Sequence, residues 1–324
     1  MDLPLQQAAY VRDNSILRTI PYIRLLTASL GVLGTIALFK LRRVAVHRNL
    51  AVALSIHCLW TAWMNLVILV DTVIQLYRFI TISDPSGLLT SGLECYLRMI
   101  PFSMGVYGIV FSLGTIAFER FLATLLYRTY EKCPAHISLF ICIVQIVVPI
   151  VMVLGMSRGY GIDRLFAYCT VSTPGIAEAA KGVVFSFLIY EIVALILHFT
   201  LIFANKRLLK KVWGACLTER YQVAENLRLL SLLTPIVVCH LLITVSIATG
   251  YTVYVMVHPD AADWDYPVLE EVSNFVHIHG IVLPTLIIIK HRLKLVRDRK
   301  VIDSNTNLDR DAIDRYISII EKGW

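Results

Sequence analysis

Charge is what this chain most conspicuously lacks. Asp, Glu, Lys and Arg make up 16% of its 324 residues, whereas 57% are hydrophobic and the mean hydropathy is +0.69. Those proportions exclude an ordinary water-soluble or disordered protein, which needs far more charge to stay hydrated. No polar stretch is long enough for a separate soluble domain. Residues 1–19 hold no apolar core of the kind that precedes signal cleavage, so the first apolar run reads as an uncleaved anchor. Seven cysteines, at 58, 95, 133, 142, 169, 216 and 239, are too few and too scattered for a disulfide-rich scaffold. Internal repeats and paired Gly- or Pro-broken spans are also missing, which argues against an inverted-repeat transporter. Neither HExxH nor HxxxH occurs, so the histidines at 57, 198, 240, 277 and 279 do not read as the ligands of an intramembrane zinc hydrolase.

What the chain has instead is seven long apolar runs, near 20–40, 49–70, 96–118, 137–157, 182–203, 229–251 and 270–290. Each approaches the ~20 residues that a helix needs to cross ~30 Å of hydrocarbon. The expected fold is an all-α membrane protein, a seven-transmembrane helix bundle. Basic residues fall on alternate connections. Lys40, Arg42, Arg43 and Arg48 follow the first run, Arg120, Arg128 and Lys132 the third, and Lys206, Arg207, Lys210, Lys211, Arg220 and Arg228 the fifth. By the positive-inside rule the N-terminus lies outside and the C-terminus in the cytoplasm. The expected organisation is an extracellular segment over 1–19, a membrane domain over 20–290 and a cytoplasmic tail over 291–324 carrying a short amphipathic helix. The same topology explains the net charge of +7 and the pI near 9.0. The basic residues face anionic lipid headgroups, so the partner they imply is the membrane and not nucleic acid.

Ionisable groups inside hydrocarbon are costly and mark function. Glu191 stands near the middle of the fifth run and should face the bundle interior, either pairing with a basic ligand or hydrogen-bonding a neighbouring helix. Arg98, one turn inside Cys95, either binds an acidic ligand or snorkels to the outer headgroups. Cys95 and Cys169 alone face the oxidising side, as a bridge over the top of the bundle or as two free thiols. Pro149, Pro235 and Pro284 lie within spans, where each removes a backbone donor. Leu217 to Asn226 has the pattern of a helix reaching into the cytosol, with Tyr221 and Glu225 on one face and Glu225 within reach of Arg228. Glu119-Arg120 ends the third run at the cytoplasmic boundary, where an adjacent acid and base can restrain each other in one state and release in another. With seven spans and two outer cysteines, that pair points to a G-protein-coupled receptor.

The string Phe118-Glu-Arg-Phe-Leu-Ala-Thr124, followed by Tyr130-Glu131-Lys132, resembles the nematode serpentine chemoreceptor superfamily of the alpha, beta, alpha/beta and epsilon classes, most closely alpha/beta. His47-Arg-Asn-Leu50, Arg220-Tyr-Gln-Val-Ala-Glu-Asn226 and the Pro235 and His240 pair of the sixth run are similar to elements of the same superfamily. The resemblance implies a receptor in the sensory cilia or dendrites of chemosensory neurons. It would bind a small environmental or pheromone molecule and activate a heterotrimeric G protein, with no enzyme activity, cofactor or metal. On that reading Glu119, Arg120, Arg220, Tyr221, Glu225 and Asn226 serve G-protein coupling. Arg98, Met99, Phe102, Glu191, Tyr251, Tyr254, Asn274 and His277, chosen for outer-half position and polar or aromatic character, would line the ligand site. The chain departs from the commonest receptor family in having no Asp-Arg-Tyr, Asn-Pro-x-x-Tyr or Cys-Trp-x-Pro and no central Asp in the second run. A sodium site and a tryptophan toggle are therefore not expected. The alternative from another class is a polytopic small-molecule transporter or channel-like protein, with Glu191 as a proton-coupled site.

Overall fold

The computed structural model describes residues 3–40, 48–130, 135–169, 177–212, 217–257, 268, 271–272 and 278–289. Helix α1 spans Leu3–Asp13 and is followed by α2 (Ser15–Lys40), α3 (Arg48–Thr81), α4 (Gly92–Leu125), α5 (Ala135–Met156), α6 (Ala177–Lys211) and α7 (Leu217–Val257). A shorter apolar helix, α8, covers Ile278–Ile289. Six of the described helices, α2 to α7, are long and apolar enough to cross a membrane. In hydrocarbon every backbone polar group must be satisfied within the segment, and a helix does so. Of the expected seventh span, α8 is the continuous helix among the described residues, and it is shorter than a span.

Helices α3, α4, α6 and α7 outrun their apolar runs at both ends because caps and packing set their limits, and hydropathy does not. Asn14 caps α2, accepting from the backbone N–H groups of Ile16 (3.0 Å) and Leu17 (3.2 Å). Ser91 caps α4, accepting from the N–H of Glu94 at 3.2 Å. α7 continues from the expected cytosolic extension into the sixth run without a break. Helix α1 is not foreseen from the sequence. Its Ala8 and Val11 are buried, and Arg12 donates to the carbonyl of Ser83 at 3.0 Å, so it lies across the loop after α3. That loop carries strand β1 (Thr90–Ser91), paired antiparallel with β2 (Leu165–Phe166) in register Thr90↔Phe166.

Close helix contacts depend on glycine and on side chains that repair broken backbone bonding. Pro149 cannot donate to the carbonyl of Gln145, one turn earlier. The indole N–H of Trp60 on α3 donates to that carbonyl at 3.1 Å. To reach it the indole crosses Gly108 of α4, where an added Cβ would sit 2.1 Å from Trp60 Cδ2. On the other side of α3, Asn65 is wedged between Gly31 of α2 and Gly280 of α8; an added Cβ would lie 2.4 Å and 2.0 Å from its amide atoms. Leu26, Leu33, Ile80, Phe140, Val151, Ile189 and Ile196 are exposed on the perimeter, as lipid-facing side chains are.

Candidate functional site

The two ends of α4 carry different constructions. At the end away from Cys95, Glu119 and Arg120 are 1% and 2% exposed. Arg120 donates through Nε to Glu119 Oε2 and through Nη2 to Glu119 Oε1, both at 2.6 Å. Its Nη1 donates to Asn226 Oδ1 of α7 at 3.0 Å, and the Tyr130 hydroxyl donates to Glu119 Oε1. The Asn226 amide donates in turn to Thr124 Oγ1 (2.8 Å) and to Asn205 Oδ1 of α6 (3.1 Å). Asn205 also donates to Thr124 at 2.8 Å. A closed hydrogen-bond set therefore ties α4, α6, α7 and the turn after α4. Removing one partner would leave a buried charge uncompensated, typically costing about 3–5 kcal/mol.

Other residues of the Arg220–Asn226 stretch point elsewhere. Val223 is fully buried, Tyr221 is exposed, and Glu225 pairs with Arg228 through Nε at 2.6 Å. Arg128, in the turn after α4, reaches Glu219 at 3.3 Å. Asn205, Thr124 and Tyr130 were not singled out as site residues by the sequence. Thr124 and Tyr130 stand in the strings that carry the family resemblance, and Asn205 is a polar group at the basic end of an apolar run; neither signal names a partner.

The middle of the bundle holds a second polar cluster. The Ser112 hydroxyl donates to the carbonyl of Ile109 at 2.8 Å, so its oxygen accepts from His57 Nδ1 at 2.7 Å. His57 Nε2 then faces His279 Nε2 at 3.4 Å, and the His279 and His240 rings meet edge to face. His240 Nδ1 stands 2.7 Å from Glu191 Oε1, which also accepts from Thr244 at 2.9 Å. Glu191 thus faces inward, packed between α6 and α7.

At the opposite end Cys95 and Cys169 form a disulfide. It rests on Tyr96, Tyr160 and Phe166. Beneath it Arg98 does not snorkel; its Nε donates to Asp71 Oδ1 at 2.9 Å, and the Gln75 amide donates to Asp71 Oδ2 at 2.9 Å. Arg24 pairs with Glu271 at 3.0 Å, and the Tyr168 hydroxyl donates to the same Glu271 oxygen. Burial and the neighbouring Glu271 charge push the Tyr168 phenol well above its usual range, so it stays a donor. Arg98, Met99 and Phe102 line one cleft here together with Asp71, Gln75 and Glu271. Glu191 is not part of that lining. Tyr251 and Tyr254 lie on the last turns of α7 with side chains outside the description, and Asn274 and His277 lie outside the described residues. Cys95→Ser and Cys169→Ser should produce the same loss of surface expression singly and together; additive losses would argue against a shared bridge.

A bundle of membrane-length helices, a disulfide pinning one end of α4 and a buried Glu-Arg network at its other end define a serpentine, receptor-type membrane protein. The chain belongs to the family described as serpentine type 7TM GPCR receptor class ab chemoreceptor, which it matches over residues 5–324. It is 21% identical over 320 residues to serpentine receptor class alpha/beta-14 of Caenorhabditis elegans, covering 92% of this chain and 79% of that receptor. It is 26% identical to serpentine receptor class alpha-10 of Caenorhabditis briggsae, covering 69% of this chain and 66% of that receptor. The family is one of receptors, not enzymes.

Proposed function

We propose that this protein is a chemosensory G-protein-coupled receptor with seven spans, its disulfide end outside the cell and its C-terminal tail in the cytoplasm. It binds a small environmental or pheromone molecule in the sensory cilia or dendrites of chemosensory neurons and activates a heterotrimeric G protein. The observation that carries the reading is the Arg120 network, because its bond to Asn226 holds the inner ends of the third and sixth spans together. An agonist that prefers the form in which this bond is open shifts a pre-existing equilibrium; a tenfold preference supplies about 1.4 kcal/mol. Parting α4 from α7 frees the guanidinium and opens a groove for the C-terminal helix of a Gα subunit. Arg220, Tyr221 and Glu225, on the outward part of α7, belong to the same surface.

The test is a calcium or cAMP response to a panel of volatiles and pheromone-like molecules, with surface expression matched and membrane current recorded. The comparison is wild type against a Glu119→Gln/Arg120→Leu double variant, which removes both charges so that neither is left buried alone. A response present in wild type and lost in the double variant supports receptor signalling. A current or uptake that survives both the double variant and G-protein blockade would turn the assignment to a transporter or channel.

A further inference from the structure

Two clefts adjoin beneath the disulfide. One lies under α1, with Val11 and Tyr168 in its walls; the other penetrates between α2, α3 and α4. They share Gln75, Arg98 and Cys169 as walls, so the inner cleft is the neighbour of the one that α1 roofs.

The hydrogen-bonding inventory of the inner cleft is unbalanced. Both oxygens of Asp71 are taken, one by Arg98 and one by the Gln75 amide. Glu271 receives Arg24 and the Tyr168 hydroxyl on the same oxygen, Oε1. Glu271 Oε2 and Gln75 Oε1 are left, both buried and both without a hydrogen-bond partner. These residues are only 6% and 8% exposed, and a buried polar group is ordinarily hydrogen-bonded. Two buried acceptors of the cleft therefore have no donor, while each of its two guanidinium groups is engaged with a carboxylate. Its remaining wall, from Ile68, Met99 and Phe102, is apolar.

We infer that this cleft takes a small molecule whose polar end donates hydrogen bonds, an alcohol or amine, with a short apolar body lying against Ile68, Met99 and Phe102. A carboxylate ligand would have to take Arg98 or Arg24 from its partner, stranding Asp71 or Glu271 as a buried, unpaired charge. A ketone or ester of the same size brings no donor to Glu271 Oε2 or Gln75 Oε1. A site built to hydrogen-bond one group strongly rejects analogues that lack it. The inference deepens the receptor reading by assigning its ligand chemistry, and it takes the cleft as that receptor's ligand site.

The test uses the full-length protein in lipid nanodiscs and four six-carbon probes: 1-hexanol, hexylamine, hexanoate and 2-hexanone. Binding is read by saturation-transfer NMR, with no G protein present. The alcohol and the amine should bind saturably and at least tenfold more tightly than hexanoate and 2-hexanone. Gln75→Met keeps the side-chain length but removes the acceptor, and should cut that preference at least tenfold. Glu271→Gln can present an amide N–H to the cleft and should raise 2-hexanone binding relative to 1-hexanol. Phe102→Ala should weaken all four alike. Preference for hexanoate or 2-hexanone, or no saturable binding of any probe, overturns the inference. So does a preference unchanged in whichever of the Gln75→Met and Glu271→Gln variants keeps the wild-type melting temperature. Donor-selective binding without ligand-stimulated nucleotide exchange on Gα would instead leave the inference standing and sink the receptor reading alone.

Discussion

Glu119→Gln should raise basal G-protein activation by roughly ten- to a hundredfold in the open-to-closed ratio. The side chain keeps its length, but the amide offers Arg120 one acceptor where the carboxylate offered two, and the opposing charge is gone. A hydrogen bond to a charged partner contributes about 1.5–3 kcal/mol, and each 1.4 kcal/mol shifts a two-state ratio tenfold. The loosened Arg120 also loses its alignment with Asn226, the residue through which α7 is held. Asn226→Leu should therefore move basal activity in the same direction. The double variant should fall short of the product of the two, since both act on one network. The measurement is agonist-free nucleotide exchange on Gα in membranes containing matched receptor. Unchanged exchange in both single variants at wild-type surface level would show that the network stabilises the fold without governing activation.

The second large effect is at Gly108. A methyl group there would lie 2.1 Å from the Trp60 indole, and the helix backbone beneath it cannot retreat. Gly108→Ala should push Trp60 aside at a cost of about 1–3 kcal/mol in overpacking. It should also withdraw the indole N–H from Gln145, whose carbonyl Pro149 has already orphaned; an unmet buried acceptor costs a further ~1–3 kcal/mol. The expected result is strongly reduced surface expression and a lower melting temperature in nanodiscs. Trp60→Phe should reproduce the second part of the loss without the first. Gly155 and Gly182 have open space where a Cβ would stand, so alanine at either should be tolerated. Equal loss at Gly155 would mean that helix rigidity, and not the Trp60 contact, governs expression.

How much of this was legible in the sequence depended on range. Six of the seven expected spans appear as described helices of membrane length, legible because lipid imposes a length and an apolarity that a sliding window detects. α1 was not, since a short helix carrying Gln6, Gln7, Arg12 and Asp13 shows neither. Glu191 announced that it faced inward, because a carboxylate in lipid has nowhere else to go, but nothing local indicated His240 as its neighbour. Arg98 was recognised as a candidate with two outcomes. Asp71 resolves them, and nothing local to the second apolar run points to Arg98 as its partner. Asn226 was reached through a motif resemblance, whereas Asn205 lies 21 residues earlier and joins it only when α6 and α7 pack. Periodicity identifies the buried face of a helix, and pairing across helices is a property of the assembled bundle.

A single residue, Asn14, separates α1 from α2, and its side chain ties the two, the oxygen capping the first turn of α2 and the amide donating to the Tyr10 hydroxyl of α1. The roof over the outer cleft is therefore not a slack flap. It is one arm of a lever whose other arm is α2, and that arm carries Arg24 to its contact with Glu271. Lifting α1 to admit a molecule would torque α2 and draw on that ion pair. The act of entry and the placement of Glu271 would then be geared together before any ligand has touched the floor of the site.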